Sequence, residues 1–331
     1  MFEFFIGCDI SKATLDFSYR TNFEDAMYSG VFENNTKGFK AFLKHHKKKT
    51  KSPLSKWIVV FENTGVYSKQ LKYWLISKGI ASVEENPLKI KRFAPFKRGK
   101  SDPADSKSIC EYAFEKRHKL IPDKAPDDII EKLKHLYSRR SLLTKQRTAQ
   151  VTAAKEKSIC MGQDVKDLFK VQSEQIIEIF DQQLRQIQEN IETLISIKDE
   201  LKQNYELIKS VIGVGPITAG LIICRTDNFK SINCPRKFAS YIGIAPFPNS
   251  SGIRKGKNKV SSKANKELKG VISNCAITAM NYDPFLKQYK HRLEQKNKSK
   301  GVIYINLKNK VVQRIFCVVK RKSPYVKLNF Q

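Results

Sequence analysis

Apolar and polar positions follow two rhythms along the first part of the chain. Phe4-Phe5-Ile6-Gly7-Cys8 is an apolar run of strand length that ends in Asp9, and Leu15-Asp16-Phe17-Ser18-Tyr19 follows as a second strand-like run. A strand apolar on both sides belongs to the middle of a sheet covered on both faces. The spacing predicts a β-hairpin over residues 1–20 and a third strand over Tyr28–Phe32. Phe39, Phe42 and Leu43 mark a helix over Gly38–Lys48. Trp57-Ile58-Val59-Val60-Phe61-Glu62 repeats the first pattern, an apolar run closed by an acid, before a turn at Asn63-Thr64-Gly65. Leu71, Trp74 and Leu75 then mark a helix over Val66–Ser77, ended by Gly79, and Ile80–Val83 forms a short strand stopped by Pro87. Strands alternating with helices predict an α/β domain, taken here as residues 1–125.

The rhythm then becomes helical. Asp127–Cys160 and Val165–Tyr205 read as two long helices with few breakers. The second carries Ile176, Ile177, Phe180, Leu184, Ile187, Ile191, Leu194 and Ile195 at spacings of three, four and seven. That pattern predicts a helical hairpin or coiled-coil arm over 126–206 with a role in self-association. In Leu207–Cys224, Gly213-Val214-Gly215 precedes Pro216 at a helix start. Two readings stay open: a helix-hairpin-helix whose turn amides at Gly213 and Gly215 hold a phosphate, or a plain helix pair. Leu268–Met280 is an amphipathic helix, Lys287–Lys300 is basic, Val302–Lys320 is apolar-periodic, and Arg321–Gln331 reads as a tail. Residues 207–331 thus predict a third, mainly helical domain.

Charge narrows the partners. The 331 residues carry 62 Lys+Arg against 32 Asp+Glu, a net charge of +30. Such an excess points to a polyanion, nucleic acid or an anionic membrane surface. No stretch approaches the roughly 18 apolar residues that read as a spanning helix. Met1-Phe2-Glu3 lacks the basic start of a signal peptide. Nucleic acid is therefore the expected partner, with no membrane, in the bacterial cytoplasm and associated with the nucleoid. The seven cysteines are scattered without a Cys-x-x-Cys pair, and the five histidines lack His-x-x-x-His spacing, so no zinc site is expected.

Candidate chemistry sits where the pattern places polar groups at element ends. A desolvated Asp9 needs a cation or a basic partner. Lys89 to Lys100 is a basic stretch with interleaved aromatics, expected as a phosphate-contacting loop, with Lys97, Arg98 and Lys100 nearest the next motif. There Ser101 can N-cap a helix with Pro103 in its first turn. Asp102 and Asp105, three residues apart, share a face. They suit the helix dipole as readily as a metal, and both readings remain open. A basic flexible loop follows Pro246, with Ser250-Ser251-Gly252 ahead of Arg254, Lys255, Lys257 and Lys263. The serines are turn formers, or one is a nucleophile whose transition-state charge those cations stabilise.

These pieces resemble, in order, the DEDD transposases of the insertion-sequence-110 type, related to the Piv DNA invertase. The matching motifs are Gly7-Cys8-Asp9-Ile10-Ser11-Lys12, Phe61-Glu62-Asn63-Thr64-Gly65, Lys100-Ser101-Asp102-Pro103-Ala104-Asp105, Val211 to Ala219, and Tyr241 to Pro246 with Ser250-Ser251-Gly252. The resemblance runs from Gly7 to about Tyr325. It implies an RNase H-like (RuvC-like) N-terminal domain in which Asp9, Glu62, Asp102 and Asp105 hold Mg²⁺ or Mn²⁺. It implies a transposase domain with a nucleophilic serine, Ser251 matching best and Ser250 standing as the alternative. It also implies donor and target DNA as substrates, a structured bridge RNA as guide, and a homodimer or homotetramer. The family pattern places Lys12, beside Asp9, near the nucleic acid. Three positions depart from that pattern: Lys263-Ala264-Asn265 lacks a glycine, Lys269 replaces an arginine, and Ser106 replaces an alanine after Asp105. Two alternatives compete with the guided recombinase: a RuvC-like metal-dependent junction endonuclease or unguided invertase, and a non-catalytic nucleic-acid-binding protein.

Overall fold

The computed structural model describes residues 2–93, 101–157, 163–251, 254–261 and 264–326, with backbone only at 157, 163–164, 248–251, 254–255 and 257–259. The chain divides into two compact units, Met1–Pro126 and Asp127–Gln331.

The first unit is a mixed five-stranded sheet with helices on both faces. Its elements are β1 (Phe4–Ile10), β2 (Thr14–Thr21), β3 (Met27–Glu33), α1 (Thr36–Lys47), β4 (Trp57–Glu62), α2 (Val66–Ser77), β5 (Ala81–Glu85), α3 (Pro87–Phe93) and α4 (Asp102–Glu115). The strand order is β3-β2-β1-β4-β5. β1 pairs antiparallel with β2 and β2 with β3, whereas β4 runs parallel to both β1 and β5. Period-two alternation sorts the side chains. Phe4, Ile6, Cys8, Leu15, Phe17, Trp57, Val59 and Phe61 pack with Phe39, Phe42, Leu71 and Leu75 of α1 and α2. Phe5, Ile58, Val60 and Val83 pack with Ile109, Tyr112 and Ala113 of α4. On that second face α4 lies against the backbone of Gly7, where an added Cβ would stand 2.2 Å from Cys110 N and 2.4 Å from Ser106 O.

Two local expectations change here. β5 runs on to Glu85, and Pro87 opens α3 rather than merely stopping a strand. Proline's fixed φ suits a first helical position, so the basic stretch from Lys89 is helical as far as Phe93. The remainder, with Lys97, Arg98 and Lys100, lies outside the described residues. β3 carries a bulge: Phe17 pairs with Gly30 but Ser18 with Tyr28. Gly30 adopts φ +128°, which a side chain would resist.

The second unit is helical apart from one hairpin. It comprises α5 (Asp128–Lys157), α6 (Gln163–Ser196), α7 (Asp199–Lys209), α8 (Pro216–Thr226), α9 (Pro235–Tyr241), β6 (Phe247–Ser251), β7 (Arg254–Lys259), α10 (Lys266–Tyr282), α11 (Pro284–Gln295) and α12 (Lys300–Arg321). α5 and α6 run antiparallel, with Arg147 donating to both Asp181 oxygens at 2.6 and 2.9 Å. Ile129, Leu133, Tyr137, Ile187, Ile191 and Ile195 at the base of this pair share one core with α7, α8, α10 and α12. The expected helix through Tyr205 is interrupted after Ser196. No breaker residue forces this. Leu201, Tyr205 and Ile208 are buried in the common core, and tertiary packing overrides local propensity. The expected flexible loop after Pro246 is an antiparallel hairpin instead. The C-terminal segment is tied down as far as Tyr325, whose amide donates to Ser210 Oγ at 2.8 Å and whose hydroxyl donates to Asp283 at 3.1 Å.

The close approach at Gly7 gives a direct test of the fold. Gly7→Ala should cost about 3 kcal/mol, the upper end for overpacking, because the atoms in the way are backbone. Urea unfolding of the variant should show a lower midpoint with an unchanged slope.

Candidate active site

β1 and β4 lie side by side and end together. Cys8 pairs with Phe61 in the parallel register, so Asp9 and Glu62 are adjacent one step further on. Both are half-buried. Both face the α4 side, by the same alternation that puts Phe5, Ile58 and Val60 there. α4 begins at Asp102, with Asp105 one turn on. Ser101 is its N-cap residue in extended conformation but makes no side-chain capping bond, contrary to expectation. The first turn is held another way: Ser106 Oγ donates to Pro103 O at 3.0 Å and meets Ser18 Oγ on β2 at 2.8 Å. Ser106 is fully buried. The alanine-to-serine departure thus falls at a hydrogen-bonded contact between helix and sheet.

The electrostatics show which acids share a field. Burial pushes the Asp9 carboxyl above its ordinary value near 3.8, and the charge of Asp105 adds to this, followed by those of Asp102 and Asp16. The Ile10 amide, donating to Asp9 Oδ1 at 3.0 Å, works the other way. Asp9 thus feels the charges of Asp105 and Asp102, and Glu62 stands beside it by register. Among the described residues, however, no three His, Cys, Asp or Glu side chains are gathered as closely as ligands of one ion. Two carboxylates about 4 Å apart repel by roughly 4 kcal/mol at a surface-like dielectric, so these acids spread rather than converge on their own. The donor set is all carboxylate oxygen, which suits a hard dication such as Mg²⁺ or Mn²⁺.

The row of acids is longer than the sequence reading allowed. Asp16 pairs with Asp9 across β1 and β2, and Glu85 pairs with Glu62 across β4 and β5. Each flanking acid accepts from a tyrosine: Tyr28 OH to Asp16 Oδ1 at 2.7 Å, and Tyr112 OH to Glu85 Oε2 at 2.8 Å. Glu85 also has Lys89 at 2.9 Å. Asp16 reaches Asp9 because the hairpin turns between Lys12 and Ala13, which sets residues 9 and 16 opposite one another.

The second candidate group lies in the other unit. Ser251 ends β6 opposite Arg254, and Ser250 pairs with Lys255. Their backbones are described and their side chains are not, as for Lys257; Lys263 lies outside the described residues. Gly213, at φ +88°, sits where a Cβ would meet Cys275 O at 2.5 Å and Ala279 N at 2.8 Å. That glycine is thus required for the turn to pack on α10. Gly215 precedes α8 with open space at its Cα. Lys12 is exposed in the turn between β1 and β2.

A family model described as "Transposase" matches residues 6–156, and one described as "Transposase IS116/IS110/IS902 family" matches residues 205–291. The pilin gene-inverting protein of Moraxella lacunata is 27% identical over 99% of this chain and 99% of its own length. That of Moraxella bovis is 26% identical over the same shares. An insertion element IS110 protein of Streptomyces coelicolor is 25% identical over 36% of this chain and 29% of its own.

The raised Asp9 carboxyl has a pH signature. An acid that holds its proton more tightly when folded stabilises the fold below the unfolded value near 3.8, and that contribution is lost as pH rises through the higher folded value. Asp9→Asn is permanently neutral. In chelator, its melting temperature relative to the parent should rise as pH passes upward through this window and then level off. Excess Mg²⁺ should close the gap by stabilising the parent alone.

Proposed function

Because the chain belongs to the IS110-type transposases and is a DNA transposase/recombinase, we propose that it exchanges DNA strands through a serine–DNA phosphoester formed at a carboxylate-held metal. The observation that carries this reading is the arrival of Asp9, Glu62 and the first turn of α4 on one face of one sheet. The strand order β3-β2-β1-β4-β5, with only β3–β2–β1 antiparallel, supports an RNase H-like domain. Asp9, Glu62, Asp102 and Asp105 would hold Mg²⁺ or Mn²⁺. When bound, the ion neutralises these acids and polarises the scissile phosphate.

The chain's own groups divide the remaining work. Strand exchange has to conserve the energy of the phosphodiester, which hydrolysis would discard. Ser251 Oγ attacks phosphorus, its proton passes to a base, and the sugar oxygen departs as a hydroxyl after taking up a proton. A sugar hydroxyl from the other strand then attacks the serine ester, and Ser251 regains its proton. Arg254, Lys255 and Lys257 on β7, with Lys12, Lys97, Arg98, Lys100 and Lys263, neutralise phosphates; Gly213 and Gly215 offer turn amides to the backbone.

Base pairing to a structured guide RNA supplies the sequence choice for donor and target DNA. The net charge of +30 exceeds what solubility asks and suits two polyanions. A homodimer or homotetramer built on the α5–α6 hairpin brings the copies needed for paired cuts. The relatives named for pilin-gene inversion support inversion of a DNA segment as a second outcome of the same chemistry.

A suicide substrate that cannot religate tests the mechanism. The parent should accumulate a protein–DNA adduct; Ser251→Ala should accumulate none, with Ser250→Ala retaining it. Asp9→Ala should show neither adduct nor cleavage. Cleavage that persists in Ser251→Ala without an adduct would instead establish a hydrolytic nuclease. RNA copurifying with the chain, and loss of DNA binding after ribonuclease treatment, checks the guide.

A further inference from the structure

We propose that Asp16, its carboxylate held by Tyr28, is a fifth acidic residue of the metal site, its charge raising the site's attraction for a dication. This rests on the carboxylate reading above and deepens it.

The sequence breaks a local rule at this strand pair. Like charges directly opposite one another on paired strands are destabilising. Asp16 and Asp9 are such a pair. Asp16 is only 6% exposed, and among the described residues no basic side chain forms an ion pair with it. A structural carboxylate in that position would be expected to have a cation, as Glu85 has Lys89. Asp16 has a phenol instead, which fixes the carboxylate's orientation without cancelling its charge.

The phenol arrives through the bulge in β3. Regular pairing would carry on from Phe17–Gly30 to Ser18–Ser29 and then Tyr19–Tyr28. Tyr28 would then share Tyr19's face, toward α1. The extra residue at Ser29 puts Tyr28 opposite Ser18 instead, on the face of Asp9 and Asp16. Bulges commonly re-aim a side chain in this way. The displaced Ser29 finds its own partners, donating to Phe17 O at 3.2 Å and meeting His46 Nε2 at 2.9 Å. Burial, the bond to Asp16 and the charges of Asp16 and Asp102 push the Tyr28 hydroxyl up to about 12, so it remains a donor. Hydrogen-bonding partners behind a metal ligand commonly set its orientation and affinity.

The test is a Mn²⁺ titration of the full chain without nucleic acid, reading free Mn²⁺ by electron paramagnetic resonance, with melting temperature in chelator as a second readout. Asp16→Asn keeps an oxygen for Tyr28 to bond and removes the charge. It should weaken Mn²⁺ binding about 10- to 100-fold while the chelator melting temperature stays level or rises. Tyr28→Phe keeps every charge and should still weaken binding, by about threefold to tenfold. Glu24→Gln removes one exposed acid away from the site and should stay within about twofold of the parent, as expected for a screened surface charge. Unchanged affinity in both Asp16→Asn and Tyr28→Phe, with binding lost in Asp9→Asn, would overturn this proposal alone. Unchanged affinity in Asp9→Asn as well would bring down the carboxylate reading itself. If Asp16→Asn does not fold, Tyr28→Phe decides, since parent-like affinity there means that the phenol positions nothing.

Discussion

Two strands that end in carboxylates can lie side by side only if something offsets the repulsion between those ends. In this sheet β1 and β4 are fixed by the burial of Phe4, Phe5, Ile58, Val59 and Phe61, all fully buried. Full burial of such a side chain contributes about 1.5–3 kcal/mol, against a repulsion of roughly 4 kcal/mol for two carboxylates about 4 Å apart. The strands can therefore carry the acids to one place without the acids' consent. Gly7 then lets the α4 backbone rest directly on β1. This close approach sets the height at which Asp102 and Asp105 enter the same field. The acidic face is a consequence of apolar packing beneath it.

That dependence explains what could be read from residues alone. The strands, the helices flanking them and the acids at their ends follow from period and termination, because burial on both faces writes itself as continuous apolar runs. Asp9 and Glu62 were legible for this reason. Asp16 was not singled out, although its partner strand was, because a single acid within an alternating strand looks like an ordinary solvent-facing position. Only the hairpin register turns it inward. Tyr28 was further from reach: its facing depends on one extra residue in β3, and no periodicity reports a bulge. The interruption after Ser196 was hidden for the opposite reason, since local helix propensity continues through it and only the shared core explains why α7 turns back.

The hairpin carrying Ser251 shows a different limit. Its sequence, rich in lysine and glycine between residues 252 and 259, has the composition of a loop. Pairing gives it a register in which the backbone of Ser251 stands opposite that of Arg254.

Serine chemistry and metal chemistry are often treated as rivals for one phosphodiester, and in the proposed mechanism each answers a need that the other leaves open. Carboxylates with a dication can neutralise the phosphate, but with water as nucleophile they end in hydrolysis and lose the bond that recombination has to remake. A hydroxyl keeps that bond as an ester, yet a serine is a weak nucleophile at its ordinary pKa and requires the phosphate to be activated by something else. In that mechanism, a chain with an acidic sheet face and a basic serine hairpin in separate compact units divides activation from covalent storage. The division carries its own constraint. Under the proposal neither unit would complete a strand exchange alone, and substrate bound by both would be the condition for the two halves of the chemistry to act together.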